Sequence, residues 1–356
     1  MKKTVCIILS LCILVCMLTG CGDAGKQGEQ NEPIRQFTDS VGRTVAVPAE
    51  ISKIAISGPL SQVYILPLAG DMLVGVSRAF SQDAEIYLPS YIMELPEIGQ
   101  LYGGKGEMNL EALLDAAPDV VIDIGDANPS VAEDMDALTE QTGIPFVHID
   151  ATTETSAEAY RVLGDLLGRQ EKAEKLASWC EDTLAMINSV MEKVDADGNR
   201  KSILYCLGDT GTNVMAEGSF HADTINKMGK NMASIEEVSF SGDGNESDVE
   251  QIMTWNPDVI IFSPESIFDT VGESAQWKNV KAITDGHYYE APYGPYGWLS
   301  SPPAVQRYLG MLWLGAVLYP DYVEFDLQEK TTEYFELFYG CELTDAMYRD
   351  LVGSSK

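Results

Sequence analysis

Short runs that are apolar throughout alternate along the chain with longer stretches whose apolar residues recur every three or four positions. Phe37 to Pro48 sets apolar and polar residues in turn about Ser40-Val41-Gly42, which predicts a small hairpin at the start of the fold. Ile54-Ala55-Ile56 reads as a buried strand halted at Ser57-Gly58-Pro59, with a helix over Leu60 to Leu68 and a strand over Leu73 to Val76 after it. A helix over Leu110 to Ala117, a strand from Val120 to Asp123 ending at Gly125, a helix over Val131 to Thr142 and a strand over Pro145 to Ile149 follow. Strands alternating with helices predict a parallel sheet covered on both faces.

Thr155 to Val194 carries apolar residues at helical spacing with no proline, and predicts one long connecting helix. Beyond the turn Asp195 to Asn199 the alternation resumes: strand at Ser202 to Leu207, helices at His221 to Met228 and Val249 to Trp255, strand at Val259 to Phe262, and a helix over Ala304 to Leu318. Asn109 to Ile122 and Asp248 to Ile261 repeat one unit, with a glutamate in the first helical turn (Glu111, Glu250), a Pro-Asp pair and an apolar strand at matching positions. An acid there complements the helix dipole, and Pro-Asp stops the helix and feeds the strand. Two such units flanking a long helix predict an α/β fold of two similar, Rossmann-like lobes with parallel sheets, joined by the long helix. The expected boundaries are 36–154 for the first lobe, 155–195 for the connecting helix and 196–356 for the second lobe.

The N-terminus changes the picture of compartment. Lys2 and Lys3 precede an apolar run from Val5 to Leu18, shorter than a stable membrane span, which reads as a secretory signal over 1–20. Leu18-Thr19-Gly20-Cys21 resembles a bacterial lipobox, so Cys21 is expected to carry the lipid that anchors the chain outside the cell membrane. The polar segment over 21–35 is then a flexible tether. Of seven cysteines, Cys180, Cys206 and Cys341 remain; an odd number at wide spacing is neither a disulfide framework nor a zinc site, and all three are expected in the core.

Charge excludes further classes. With 55 Asp plus Glu against 23 Lys plus Arg, the net charge is −32, and removal of Lys2 and Lys3 with the signal makes it −34. No basic run offers nucleic acid a footprint. There is no GxSxG, HExxH, Walker or GxGxxG signature in a fitting context, so no catalytic residues and no intrinsic cofactor are expected.

The acylated cysteine, Asp39…Gly42-Arg43…Val45…Val47-Pro48, Asn109-Leu110-Glu111…Pro118-Asp119, the long helix, and Trp298…Ser301-Pro302 before Leu309-Gly310-Met311-Leu312-Trp313-Leu314 together resemble the class III substrate-binding proteins of ABC importers for iron-siderophores, haem and cobalamin. The resemblance spans Phe37 to the C-terminus. It implies two lobes joined by one helix with a ligand cleft between them, and a monomer that captures a metal chelate, a ferric siderophore or a corrinoid, in that cleft and hands it to a permease dimer driven by a cytoplasmic ATPase. By motif, Glu111 and Glu250 are the acids such a permease reads, one per lobe.

Ligands of open α/β sheets sit beyond the carboxyl ends of the strands. That rule and the family pattern nominate Ser57, Arg78, Tyr102 and Lys105 in the first lobe and His221, Tyr293, Tyr296 and Trp298 in the second. The Ala291 to Trp298 loop is richest, since its prolines and glycines hold three aromatics on irregular backbone, and flat rings suit a chelate or macrocycle. One departure limits ligand charge: many relatives carry an arginine soon after the tryptophan, where this chain reads Leu299-Ser300-Ser301. Arg307 is read as a solvated or capping residue of its helix. Strongly anionic catecholates need several Arg or Lys, so a ferric hydroxamate or corrinoid is favoured. His148, His221 and His287 form no metal motif. Alternatives are a binder of a bare metal ion, a nickel or cobalt chelate or a metal oxyanion, and a surface-tethered enzyme or chelatase on the same scaffold.

Overall fold

Ile34–Thr38 (β1) and Thr44–Pro48 (β2) pair antiparallel as the alternation predicts. This computed structural model describes residues 33–102, 107–264 and 266–353. Arg43 closes the hairpin turn: its guanidinium pairs with buried Asp39 at 3.0 Å and donates to the Phe146 carbonyl at 3.1 Å, tying the hairpin to the first sheet. Ile34 and Arg35, expected in the tether, already belong to β1, and Arg35 donates to the Leu166 carbonyl.

The first lobe is a parallel sheet of β3 (Ile54–Ile56), β4 (Val120–Gly125) and β5 (Phe146–Asp150) in that order, wrapped by α1 (Pro59–Ala69), α2 (Leu110–Ala116) and α3 (Val131–Thr142). Every residue of β4 and all of β5 but its last, Asp150, are buried, consistent with helices on both faces. Leu73 to Val76, expected as a strand, forms only isolated bridges, because Val74 donates to Ile54 on one side while Val76 exchanges bonds with Pro96 and Ile98 on the other. Switching partners within four residues leaves no run of consecutive rungs.

The expected single helix over 155–195 is two helices, α4 (Ser156–Leu167) and α5 (Gln170–Ala196). Gly168, at φ 67°, supplies the left-handed cap that ends α4 and turns the chain back. The two helices pack together, and Arg161 of α4 reaches both Glu174 and Glu181 of α5 at 2.9 and 2.7 Å. Only α5, 27 residues and thus about 40 Å long, runs from the first lobe to the second.

In the second lobe, β6 (Ser202–Leu207) takes β7 (Asn213–Val214) antiparallel, while β8 (Lys230–Asn231), β9 (Val259–Phe262) and β10 (Tyr288–Glu290) extend a parallel arrangement in which β9 pairs with both β6 and β10. α6 (Asp223–Met228) and α7 (Val249–Trp255) accompany it. α8 (Arg307–Leu318) is apolar nearly all round and packs on both α5 and α6. After α8, α9 (Leu327–Tyr334) runs into a single π turn, Phe335–Tyr339, that lies on α1 of the first lobe, and α10 (Asp345–Val352) ends the chain. The C-terminal helices therefore return to the first lobe, where Phe335 meets Tyr87 edge-on at 5.3 Å. One apolar cluster runs without a break from Val45 and Ile54 through Leu176 and Cys180 to Tyr308, Trp313 and Phe338. Cys180 and Cys206 are buried free thiols, and Cys341 is half-buried.

The repeat is real in three dimensions. Asn109 caps α2 by accepting from Ala112 at 3.0 Å and Asp248 caps α7 by accepting from Gln251 at 2.8 Å. Each helix ends in a left-handed non-glycine residue, Ala117 at φ 45° and Asn256 at φ 48°, the two such residues among those described. The aspartate after each proline then ties down the neighbouring strand: Asp119 accepts from the backbone of Ser52 and Lys53, and Asp258 from the backbone and hydroxyl of Ser202. Glu111 and Glu250 are exposed on the first turns.

Candidate functional site

Two cavities lie where both lobes contribute walls. The larger, about 890 Å³, opens at the carboxyl ends of β6, β9 and β10. Tyr205, Leu207 and Gly208 come from β6 and its loop, Ser263 and Pro264 follow β9, and the segment from Ala291 to Ser301 follows β10. The Ser241 to Glu246 loop and, from the first lobe, residues between Ser81 and Tyr87 complete it. Gly294, at φ 141°, brings the aromatic loop against the first lobe, because a Cβ there would come within 2.9 Å of the Tyr87 ring. The lining holds three carboxylates, Asp83, Asp243 and Glu246, all exposed, and among the described residues no Lys, Arg or His.

Of the three nominated aromatics, two line this cavity. Tyr293 is 52% exposed at its lip, whereas Trp298 is 1% exposed and its indole donates to the Gly294 carbonyl at 3.4 Å, so it is wall and core at once. Tyr296, expected to face a ligand, points instead across the lobe junction: its hydroxyl accepts from Gln62 at 3.0 Å and its ring meets Phe80 edge-on at 5.6 Å. Gln62 in turn accepts from the backbone and hydroxyl of Ser77, so the junction is closed by a buried polar chain. Burial holds the Tyr296 phenol well above its ordinary pKa.

The smaller cavity, about 360 Å³, lies at the carboxyl ends of β3, β4 and β5. Ser57 and Tyr102 line it, but neither offers a free group. The Ser57 hydroxyl donates to Asp123 and contacts Ser61 at 3.0 Å, and Asp123 also accepts from His148 Nδ1 at 2.6 Å; Tyr102 donates to Asp134 at 3.1 Å. Across from them stands Arg307, which the sequence assigned to solvent. It is 7% exposed and lines the cavity. α8 is buried all round, so its first residue enters the interior with it.

His221 lines neither cavity. Its Nδ1 donates to the Ser300 carbonyl at 3.2 Å, and burial lowers its pKa to about 4 against the opposing pull of that bond. Phe220 beside it stacks on Phe240 at 6.4 Å. Arg78 is exposed and lines neither cavity, and Lys105 lies outside the described residues. Sequence reasoning missed the Ser81 to Tyr87 and Ser241 to Glu246 walls, which follow no regular strand and carry no motif. No group of three or more His, Cys, Asp or Glu among the described residues is placed to hold a metal ion.

The family model described as "Periplasmic binding protein" matches residues 70–293. The "ABC transporter solute binding protein from Sulfurospirillum deleyianum" superposes with a TM-score of 0.81 at 27% identity, over 90% of this chain and 99% of that one. Among curated proteins, the "Fe(3+)-citrate-binding protein YfmC" of Bacillus subtilis is 21% identical over 80% of this chain and 88% of its own length. The "High-affinity heme uptake system protein IsdE" of Staphylococcus aureus is 22% identical over 59% and 70%.

Proposed function

The chain belongs to the periplasmic binding protein family, and from that premise we propose that it captures a neutral or cationic metal chelate, a ferric hydroxamate foremost, in the 890 Å³ cavity and delivers it to an ABC permease. It is a substrate-binding protein of an ABC transporter and not an enzyme, which removes the chelatase alternative. The observation that carries the ligand assignment is the charge of the larger cavity. Carboxylates and aromatic faces line it with no cation among the described residues, so an anionic complex such as ferric citrate or a ferric catecholate finds no counter-charge. In a tris-hydroxamate the ligand charge cancels that of ferric iron, and its hydrocarbon arms match the walls of Tyr87, Tyr205 and Trp298. A corrinoid meets the same charge condition. The relative that binds ferric citrate and those that take up haem support the iron-chelate class rather than either member of it.

Lipid on Cys21 holds the protein, as a monomer, at the outer face of the membrane. Glu111 and Glu250 present one acid per lobe to the permease, a reading supported by their exposure on the first turns of two similarly capped helices.

Titration followed by tryptophan fluorescence tests the ligand, because Trp298 forms part of the wall. Ferrichrome or ferrioxamine should quench saturably, with Kd about 1 μM or tighter. Ferric citrate, a ferric catecholate, molybdate and free nickel should leave the signal unchanged. Tighter binding of any of these four than of the hydroxamates overturns the assignment, and a response to cobalamin alone moves it to the corrinoid.

A further inference from the structure

The two copies of the repeated unit share a second feature on their outer faces. In each helix one stripe packs inward: Leu110, Leu113 and Ala116 of α2 pack in one apolar cluster, and Val249, Ile252 and Trp255 of α7 in another. Solvent-side positions of such a helix are ordinarily polar. Yet Leu114 is 49% exposed and Met253 37%, and neither belongs to any apolar cluster of the core. Single exposed apolar residues are common on any protein surface. Here eight large ones are exposed among the described residues, and two of those eight stand at one register of the repeat, three residues after the outer glutamate. Between the cap and the Pro-Asp pair, four positions of the unit are exposed in both copies. Two differ in chemistry, Asp115 against Thr254 and Ala117 against Asn256, and two match, Glu111 with Glu250 and Leu114 with Met253.

Residues three apart on a helix are neighbours on its surface, so each lobe shows an acid beside an apolar side chain. That pairing selects among occupants. A second copy of this chain would set acid against acid, and an anionic bilayer repels a body this acidic. A partner with a cation beside an apolar hollow satisfies both groups, and a permease dimer presents such a place twice. We infer that Leu114 and Met253 are apolar anchors of permease docking, one per lobe beside its acid, an assignment that rests on the docking reading of Glu111 and Glu250. The acids steer the encounter and are screened by salt, and exposed ion pairs alone add little lasting affinity. The anchors leave water on contact, a gain that salt does not screen.

Photocross-linking in intact cells tests this, with the full chain carrying a benzophenone amino acid in place of Glu111, Leu114, Glu250 or Met253 in turn. Mass spectrometry should identify a permease subunit from all four positions. Binding to that permease in lipid nanodiscs is then compared at low and high salt. Leu114→Gln with Met253→Gln, which keeps side-chain length and helix propensity, should weaken binding about tenfold at both salts with Tm unchanged. Glu111→Gln with Glu250→Gln should weaken it at low salt and remove most of the salt dependence. Leu114→Met, which conserves volume and apolar character, should bind within about twofold of the wild type. Binding by the Leu114 and Met253 double variant within about twofold of the wild type, while the acid pair is weakened, overturns the anchors and leaves the docking acids in place. Cross-links from Leu114 and Met253 to a second copy of the chain or to lipid alone overturn the choice of partner. No permease cross-link from any of the four positions overturns the anchors and the docking acids together.

Discussion

The two lobes share an outer surface and differ inside the cleft. On the outside each presents the same unit, a capped helix with an exposed glutamate, a left-handed stop, and an aspartate that pins the adjoining strand. On the inside, the first lobe offers a buried polar chain of Ser57, Asp123 and His148, while the second offers an aromatic loop and a buried arginine. Repetition is thus kept on the face proposed to meet the permease and abandoned inside the cleft. The same α/β unit serves both ends because its outer helix starts and its cleft loops lie at different points along the chain.

The strongest blow to this contrast falls on its interior side. Asp123→Ala removes the acceptor of both Ser57 and His148 and leaves a buried imidazole N–H unpaired, so unfolding in urea should show a loss of about 3–4 kcal/mol. A loss under about 1 kcal/mol would mean that the polar chain is solvated and not structural.

Next come the two strand pins. Asp119→Ala and Asp258→Ala should each cost about 2 kcal/mol in the same assay, since each frees backbone N–H donors at the start of a strand. Hydrogen bonds from Ser202 hold the Asp258 carboxyl below its ordinary range. Costs that differ by more than about 1 kcal/mol would show that the repeat is a likeness of shape without equal mechanical roles.

A smaller effect is expected on the outer face. Glu111→Lys with Glu250→Lys should leave chelate affinity and Tm unchanged and slow uptake about tenfold, equivalent to 1.4 kcal/mol of lost attraction. Normal uptake in that double variant removes the docking assignment, and a defect in one single variant alone breaks its symmetry.

The smallest concerns His221. In the folded chain it stays neutral to about pH 4, whereas in the unfolded chain it gains a proton near 6.5. The unfolded state therefore binds more protons in that window, and stability falls as pH drops from about 6.5 to about 4. Discounted for the part of the ring that stays wet, the contribution is about 1 kcal/mol. It appears as the difference in pH dependence of Tm between the wild type and His221→Gln; parallel curves would refute it.

Much of this was legible in the chain because local chemistry and fold agree. The hairpin, α3, α7 and β9 stand where alternation and helical spacing put them, and the repeat announced itself through Pro118-Asp119 and Pro257-Asp258. The break at Gly168 was hidden because apolar spacing resumes on its far side, although a periodic stretch of that length is itself a sign of a turn. Tyr296 and Arg307 were misread for a common reason. Their surroundings are made by residues distant in sequence, Gln62 for one and Phe220 with Asp223 for the other, and no local pattern encodes those meetings. The scarcity of Lys and Arg and the absence of an arginine after Trp298 pointed to a weakly charged ligand, but with Arg78 and Lys105 nominated for the site nothing local announced the carboxylates that line the larger cavity.

The unbroken core that passes from the first sheet through α5 into α8 and back to α1 bears on transport in a further way. From this bracing we expect the outline to change little when cargo arrives. The importer then meets nearly the same silhouette loaded or empty, so vacant copies compete for the dock. Raising the number of binding proteins beyond the supply of chelate should slow import, and the most productive cell surface carries fewer of them than ligand scarcity alone suggests.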